Sequence, residues 1–180
     1  MKSLLSFLFL LTTSFLVNAQ QLKPIDTEST INFTINNFGL TTKGNLKGLN
    51  GTIVWNNKNT NACTFLVSAD ATSINTNNSL RDNHLKKADY FNVAKFPSIT
   101  IKSTKIISVD NGNLFEMEAD LTLKGVTKKI KIPFTAIAQS NGVLFNGKFE
   151  IDRKDYGVGG SSLSLSNNVK IILNIKATIQ

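Results

Sequence analysis

An all-β chain closed into an antiparallel barrel of about eight strands is what this sequence predicts, and three observations carry the prediction. Apolar residues recur at every second position over most of the chain, the period of a strand with one dry and one wet face. Asn-Gly pairs and lone glycines interrupt these runs where tight reversals need positive φ angles. A single stretch, from Ser79 to Pro97, falls outside the two-residue rhythm.

Lys2, an apolar run from Leu4 to Val17 and the small-residue end Val17-Asn18-Ala19 have the layout of a secretory signal peptide. Cleavage after Ala19 is expected, which leaves residues 20–180 as one domain in the periplasm or outside the cell. The apolar run is shorter than the roughly 20 residues a bilayer span needs, so no integral membrane segment is expected after cleavage. No cysteine follows the cut to carry a lipid anchor.

The strands follow in order. Ile31, Phe33 and Ile35 alternate with Asn32, Thr34 and Asn36, and Phe65, Val67 and Ala69 repeat the pattern. Trp55, beside Asn56 and Asn57, ends a strand and is placed at a barrel rim. Ile99 and Ile101 follow Pro97 in the same phase. Phe115, Met117, Ala119, Leu121 and Leu123 interleave with Glu116, Glu118, Asp120 and Thr122, the cleanest alternation in the chain. Ile130, Ile132 and Phe134 come next, then Val143, Phe145 and Phe149, and the last strand puts Val169, Ile171, Leu173 and Ile175 on one side. Asn50-Gly51, Asn111-Gly112, Asn141-Gly142 and Gly125 read as reversals; Asn146-Gly147, inside a strand pattern, reads as a bulge or a close backbone approach. Ser161 to Asn168 is polar and turn-like.

The exception is Arg81 to Pro97. Ser79 with Asp82 three residues on forms a capping-box pattern, and the run to Asp89 lacks Gly and Pro, so a short helix over 79–89 is expected. Tyr90, Phe91 and Phe96 follow, and Pro97 forces extended chain into the next strand. A lid or plug across one barrel end fits this segment.

The net charge of +8 invites an acidic partner. The lysines do not cluster, however; Lys124, Lys128, Lys129 and Lys131 surround a turn, and a solvated surface rather than a nucleic-acid site is expected. Cys63 stands alone, which excludes an internal disulfide, and its apolar neighbours suggest a buried, inert thiol. One histidine and one cysteine cannot build a metal site rich in those ligands, so neither metal nor cofactor is expected. Asp82 and Asp89 flank His84 as a conceivable acid and base pair, but no nucleophile elbow accompanies them and no enzyme is expected. Gly157-Val158-Gly159-Gly160 is not a phosphate loop, because no helix pattern follows it.

Three stretches resemble one family. Arg81-Asp82-Asn83-His84-Leu85 with Asp89-Tyr90-Phe91-Asn92-Val93 and Lys95-Phe96-Pro97, then Leu121-Thr122-Leu123-Lys124-Gly125-Val126-Thr127-Lys128, then Arg153-Lys154-Asp155-Tyr156-Gly157-Val158-Gly159 closely resemble the YceI-like family. The likeness runs from about Ile25 to the C-terminus. It implies an exported bacterial protein with a lipocalin-like eight-stranded antiparallel β-barrel, an elongated cavity for a polyisoprenoid or similar long-chain amphiphile such as a fatty-acyl lipid, and no catalytic activity; family members often pair, so a homodimer is possible. Where many members carry a histidine near the end of the first strand, this chain has Asn36-Asn37.

An eight-stranded barrel is just wide enough to be filled by its own side chains or to hold one slender ligand. Periodicity alone leaves both open. On the ligand reading the contacts are Ile31, Phe33, Ile35, Phe65, Phe91, Phe96, Ile99, Ile101, Met117, Phe134, Phe145 and Phe149, with Tyr90 or His84 bonding a polar head; Arg81, Asp82, His84 and Arg153 form the structural motif or meet the head group. On the other reading the chain is a structural or stress-related envelope module with a packed barrel.

Overall fold

The computed structural model describes residues 19–110 and 112–180; the expected signal segment before Ala19 lies outside the described residues. Nine strands and one α-helix follow in the order β1 (Gln20–Pro24), β2 (Thr30–Asn37), β3 (Leu40–Trp55), β4 (Thr64–Asn75), α1 (Ser79–Leu85), β5 (Ser98–Ser108), β6 (Leu114–Leu123), β7 (Val126–Gln139), β8 (Gly142–Asp152) and β9 (Leu165–Ile179). Single 3-10 turns lie at Asp26–Glu28, Thr60–Ala62 and Arg153–Tyr156. From β2 to β9 each strand pairs antiparallel with its chain neighbour, and β9 returns to β2, which closes eight staves. Closure leaves no sheet edge to be covered.

β1 is not a ninth stave. Gln20 faces Trp55 at the end of β3 and Leu22 faces Ile179 at the end of β9, so β1 continues the line of β2 beyond the Asp26–Glu28 break. The break is fastened to β3, since the Leu49 N–H donates to Asp26 Oδ1 at 2.8 Å.

Connections alternate between two ends. At one end lie 38–39, 76–97, 124–125 and 153–164; at the other lie 56–63, 109–113 and 140–141. Asn37 pairs with Leu40, and Leu123 with Val126, across two-residue loops in which both residues have positive φ: Phe38 (50°) and Gly39 (76°), Lys124 (51°) and Gly125 (74°). These are the reversals whose twist matches a right-handed sheet.

Several sequence expectations change here. Asn50-Gly51 does not reverse the chain: β3 runs through it as one 16-residue strand. The positive φ of Gly48 (72°) and Gly51 (130°) bends the strand instead, and its register against β4 shifts between Asn45 and Lys47 and again between Lys47 and Asn50. Glycine is required at Gly51, where a Cβ would stand 2.1 Å from the Leu66 carbonyl oxygen. The first reversal is Phe38-Gly39, which lacks the Asn-Gly signature. Asn146-Gly147 is no bulge, because β8 keeps register with both neighbours there; nor is it a close backbone approach, since a Cβ on Gly147 would meet Ile132 Cγ2 at 3.4 Å and the Pro133 carbonyl at 3.6 Å, ordinary contact distances. The helix ends at Leu85 rather than Asp89, and its cap is Asn78, whose side chain accepts from the Arg81 N–H at 3.0 Å. β9 begins at Leu165, inside the stretch read as turn.

Trp55 is not at a rim open to water but 5% exposed, at the centre of a cluster with Phe65, Phe115, Phe134 and Phe145, ring centroids 4.9 to 6.2 Å away. All four rings meet it edge-on, the arrangement the aromatic quadrupoles favour. The cluster plugs the barrel at the 56–63 end. Cys63 is buried beside it, accepting from the Asn56 N–H at 3.1 Å and donating to the Asn56 carbonyl at 3.2 Å; burial pushes its thiol pKa up, which keeps it protonated and inert.

Candidate functional site

Burial along the inward face divides the barrel in two. Toward the plugged end the inward side chains are buried: Met117, Phe134, Phe145 and Ile175. Toward the 76–97 end many point into the same interior yet stay half-buried: Ile31, Phe33, Ile35, Val67, Ile99, Ile101, Val169, Ile171 and Leu173, while Leu121, Leu123 and Phe149 on the facing strands are buried. Apolar side chains on the inner face of a closed barrel keep contact with solvent only where the interior is not filled. The unfilled space is a cavity of about 490 Å³, within the range of small-molecule sites. On β8 its lining extends from Phe145 to Ile151, roughly 20 Å along the strand at about 3.3 Å per residue. The aromatic cluster is its floor, and α1 with the 153–164 connection forms its mouth.

Twelve of the thirteen residues read from the sequence as ligand contacts line this cavity: Ile31, Phe33 and Ile35 of β2, Phe65 of β4, Tyr90 and Phe91 of the long connection, Ile99 and Ile101 of β5, Met117 of β6, Phe134 of β7, and Phe145 and Phe149 of β8. Phe96 does not. Its ring lies over Gly125, where a Cβ would be 2.4 Å from it, and Lys95 Nζ sits 5.3 Å from its centroid. The surface is also more aliphatic than expected, because Phe65, Phe134 and Phe145 are committed to the floor. Leu46, Leu49 and Ile53 of β3 line the cavity and went unread, since the bends at Gly48 and Gly51 space them three and four apart instead of two. Val169, Ile171, Leu173 and Ile175 line it too, and their unbroken alternation was signal enough. Gly147 leaves a gap in the wall, and Gly44 lets the Phe33 ring lie flat: a Cβ there would be 2.3 Å from the ring tip.

The polar groups gather at the mouth. Arg81 and Asp82 clamp Thr76: the guanidinium donates from Nε to Thr76 Oγ1 (2.7 Å) and from Nη2 to the Thr76 carbonyl (2.9 Å), while Asp82 Oδ1 accepts from the Thr76 N–H and hydroxyl. Arg81 lines the mouth; Asp82 is turned to Thr76 and does not. His84 lines the mouth edge-on to Tyr90, centroids 4.9 Å apart, and neither neighbouring carboxylate hydrogen-bonds to it. Asn37 faces the cavity, whereas Asn36 accepts from Thr41 Oγ1 on the outside.

Arg153 is the most constrained of these groups. It is 3% exposed, and its five N–H donors are all engaged: Nε to the Ser166 carbonyl, Nη1 to those of Val158 and Gly160, Nη2 to the Leu165 carbonyl and Asn167 Oδ1, at 2.8 to 3.4 Å. Buried charge needs such satisfaction. No donor is left for a head group, so Arg153 ties the 153–164 connection to β9.

A family model described as the YceI-like domain matches residues 22–177. The chain belongs to the YceI-like family. Its relatives include Protein YceI of Salmonella agona (strain SL483), 31% identical over 99% of this chain and 98% of the relative, and the UPF0312 protein VCM66_A0498 of Vibrio cholerae, 33% identical over 74% and 76%. Among solved structures, the fold is similar to Burkholderia cenocepacia BcnA (TM-score 0.80, 19% identity, 86% of this chain and 99% of that one) and to a polyisoprenoid binding domain from Saccharophagus degradans implicated in plant cell wall breakdown (TM-score 0.72, 15% identity, 91% and 100%).

In this YceI-like barrel the three stretches that carry the family likeness interlock at the mouth. Lys124 Nζ donates to the carbonyls of Asp89 (3.1 Å) and Gly157 (2.5 Å), and the Gly159 N–H donates to the Asp89 carbonyl at 2.8 Å. Gly159, at φ 68°, admits both Tyr90 and Arg153, which a Cβ would approach within 2.9 Å. Tyr156 is buried beneath them; desolvation, with the Asp155 charge adding to it, raises its pKa to about 12.

Proposed function

We propose that this chain is an exported lipid-binding protein that holds a polyisoprenoid or another long-chain amphiphile in its barrel, for transport, storage or sequestration in the periplasm or after secretion. The observation that carries this reading is the one-ended apolar cavity: an aromatic floor, a half-buried aliphatic wall and polar groups confined to the mouth. A hydrocarbon chain laid against that wall leaves water at about 0.8 kcal/mol per methylene, before the losses of immobilisation. Its head would then meet His84, Tyr90 and Asn37. The description of the Saccharophagus degradans neighbour as a polyisoprenoid binding domain supports the same ligand class, while its low identity speaks to the fold alone.

The cavity weighs against a packed, ligand-free envelope module. It also favours binding over catalysis, since Asp82 is spent on Thr76 and His84 lacks a carboxylate partner. Mass spectrometry of an organic extract of the purified chain is the test: a long-chain molecule in near-stoichiometric amount is expected, and a clean extract from protein that also ignores added isoprenoid and fatty-acyl lipids would overturn the reading.

A further inference from the structure

We propose that the mouth of the barrel is a docking surface for an anionic lipid bilayer, so that ligand passes between membrane and cavity without crossing water; this rests on the lipid-binding reading and assigns it a partner. Phe38, Leu40, Leu80 and Leu163 are the most exposed large apolar side chains of the described residues, at 75% exposure or more, and all four stand at the mouth end. Elsewhere no described large apolar side chain exceeds 58%. Scattered apolar exposure is ordinary; its concentration around one opening marks an interaction site. Phe38 is held with φ at 50°, a conformation a bulky residue adopts only under strain, and it lines the cavity while projecting into solvent. A strained, exposed aromatic beside a ligand opening argues for selection by what it touches.

Charge names the occupant. At the mouth, Arg81, Lys86, Lys87, Lys95, Lys124 and Lys154 face Asp82, Asp89 and Asp155, whereas the connections at the plugged end carry Lys58 and Asp110. None of the six cations forms an ion pair with a carboxylate among the described residues, and Asp82 is occupied by Thr76. Apolar tips ringed by cations that no carboxylate neutralises match the acyl boundary and phosphate layer of an anionic membrane, where lysine stems such as those of Lys86, Lys87 and Lys154 lie against apolar surface and their ammonium groups reach phosphate. The cavity opens through this ring.

Co-sedimentation of the mature chain with phosphatidylcholine vesicles, with and without phosphatidylglycerol, tests the proposal. Binding roughly tenfold or more tighter to the phosphatidylglycerol vesicles, weakened by salt, is expected. A Leu40→Ser, Leu80→Ser, Leu163→Ser variant, which leaves the cavity lining untouched, should lose roughly tenfold or more of it, while melting at the same temperature and still taking up oleate from solution. Equal binding by that variant, indifference to phosphatidylglycerol, or a wild-type dimer that the variant dissolves would overturn it, the last by making the ring a contact between copies. Gly147→Leu separates the two readings: with the cavity filled it should dock like wild type and extract no lipid, whereas docking by a wild type that never extracts lipid would sustain the surface and sink the carrier.

Discussion

Arg153 shows how much one side chain can fix. Its guanidinium reaches four carbonyls and an amide oxygen between residues 158 and 167, with no carboxylate near enough to pair. Arg153→Leu would strand those acceptors, and a loss of about 3 kcal/mol or more in denaturant unfolding is expected; a change within about 0.5 kcal/mol would mean that water replaces the guanidinium. Tyr156 makes a pH prediction. Its pKa is raised in the fold from an ordinary value of 10 to about 12, so its contribution is complete below pH 10 and is lost as pH rises toward 12. Melting curves across that window should therefore fall more steeply for wild type than for Tyr156→Phe, and parallel slopes would contradict the assignment.

At the scale of elements, α1 is fastened to the end of β4 through Thr76, the first residue of the long connection, which Arg81 and Asp82 grip from the helix. Thr76→Val removes one partner each from Arg81 and Asp82, which should cost about 2 kcal/mol locally. Faster amide exchange across Ser79–Leu85, with strand amides such as that of Met117 unchanged, is the expected result. The elements were unequally legible. β6 was fully readable because it is regular and wet on one face, so polarity alternates without exception. β3 was not: its glycines bend the strand, and the same tolerance of positive φ that signals a reversal serves curvature instead. The helix was found but overextended, since Lys86 to Asp89 carry no residue that forbids a helix and the turns that follow are set by contacts to Lys124 and Gly159. Phe96 shared the spacing of the lining aromatics, yet tertiary packing sent its ring to Gly125.

For the whole molecule, alternation showed which face of each strand turns inward and was silent on whether the interior is full. That depends on summed side-chain volume along the axis: Trp55 and four phenylalanines crowd one half, whereas the wall residues of the other half, Gly147 among them, do not meet across it. Trp55 is the single tryptophan and lies one ring behind the cavity floor, so its fluorescence reports on depth. The most direct measurement is therefore quenching of Trp55 by fatty acids brominated either at the far end of the chain or next to the carboxylate. Quenching by the far-end bromide and little by the near-carboxylate one is predicted, because the hydrocarbon enters tail first and the head stays at the mouth. Equal quenching by both, or none from either at saturating fatty acid, would contradict a one-ended lipid cavity.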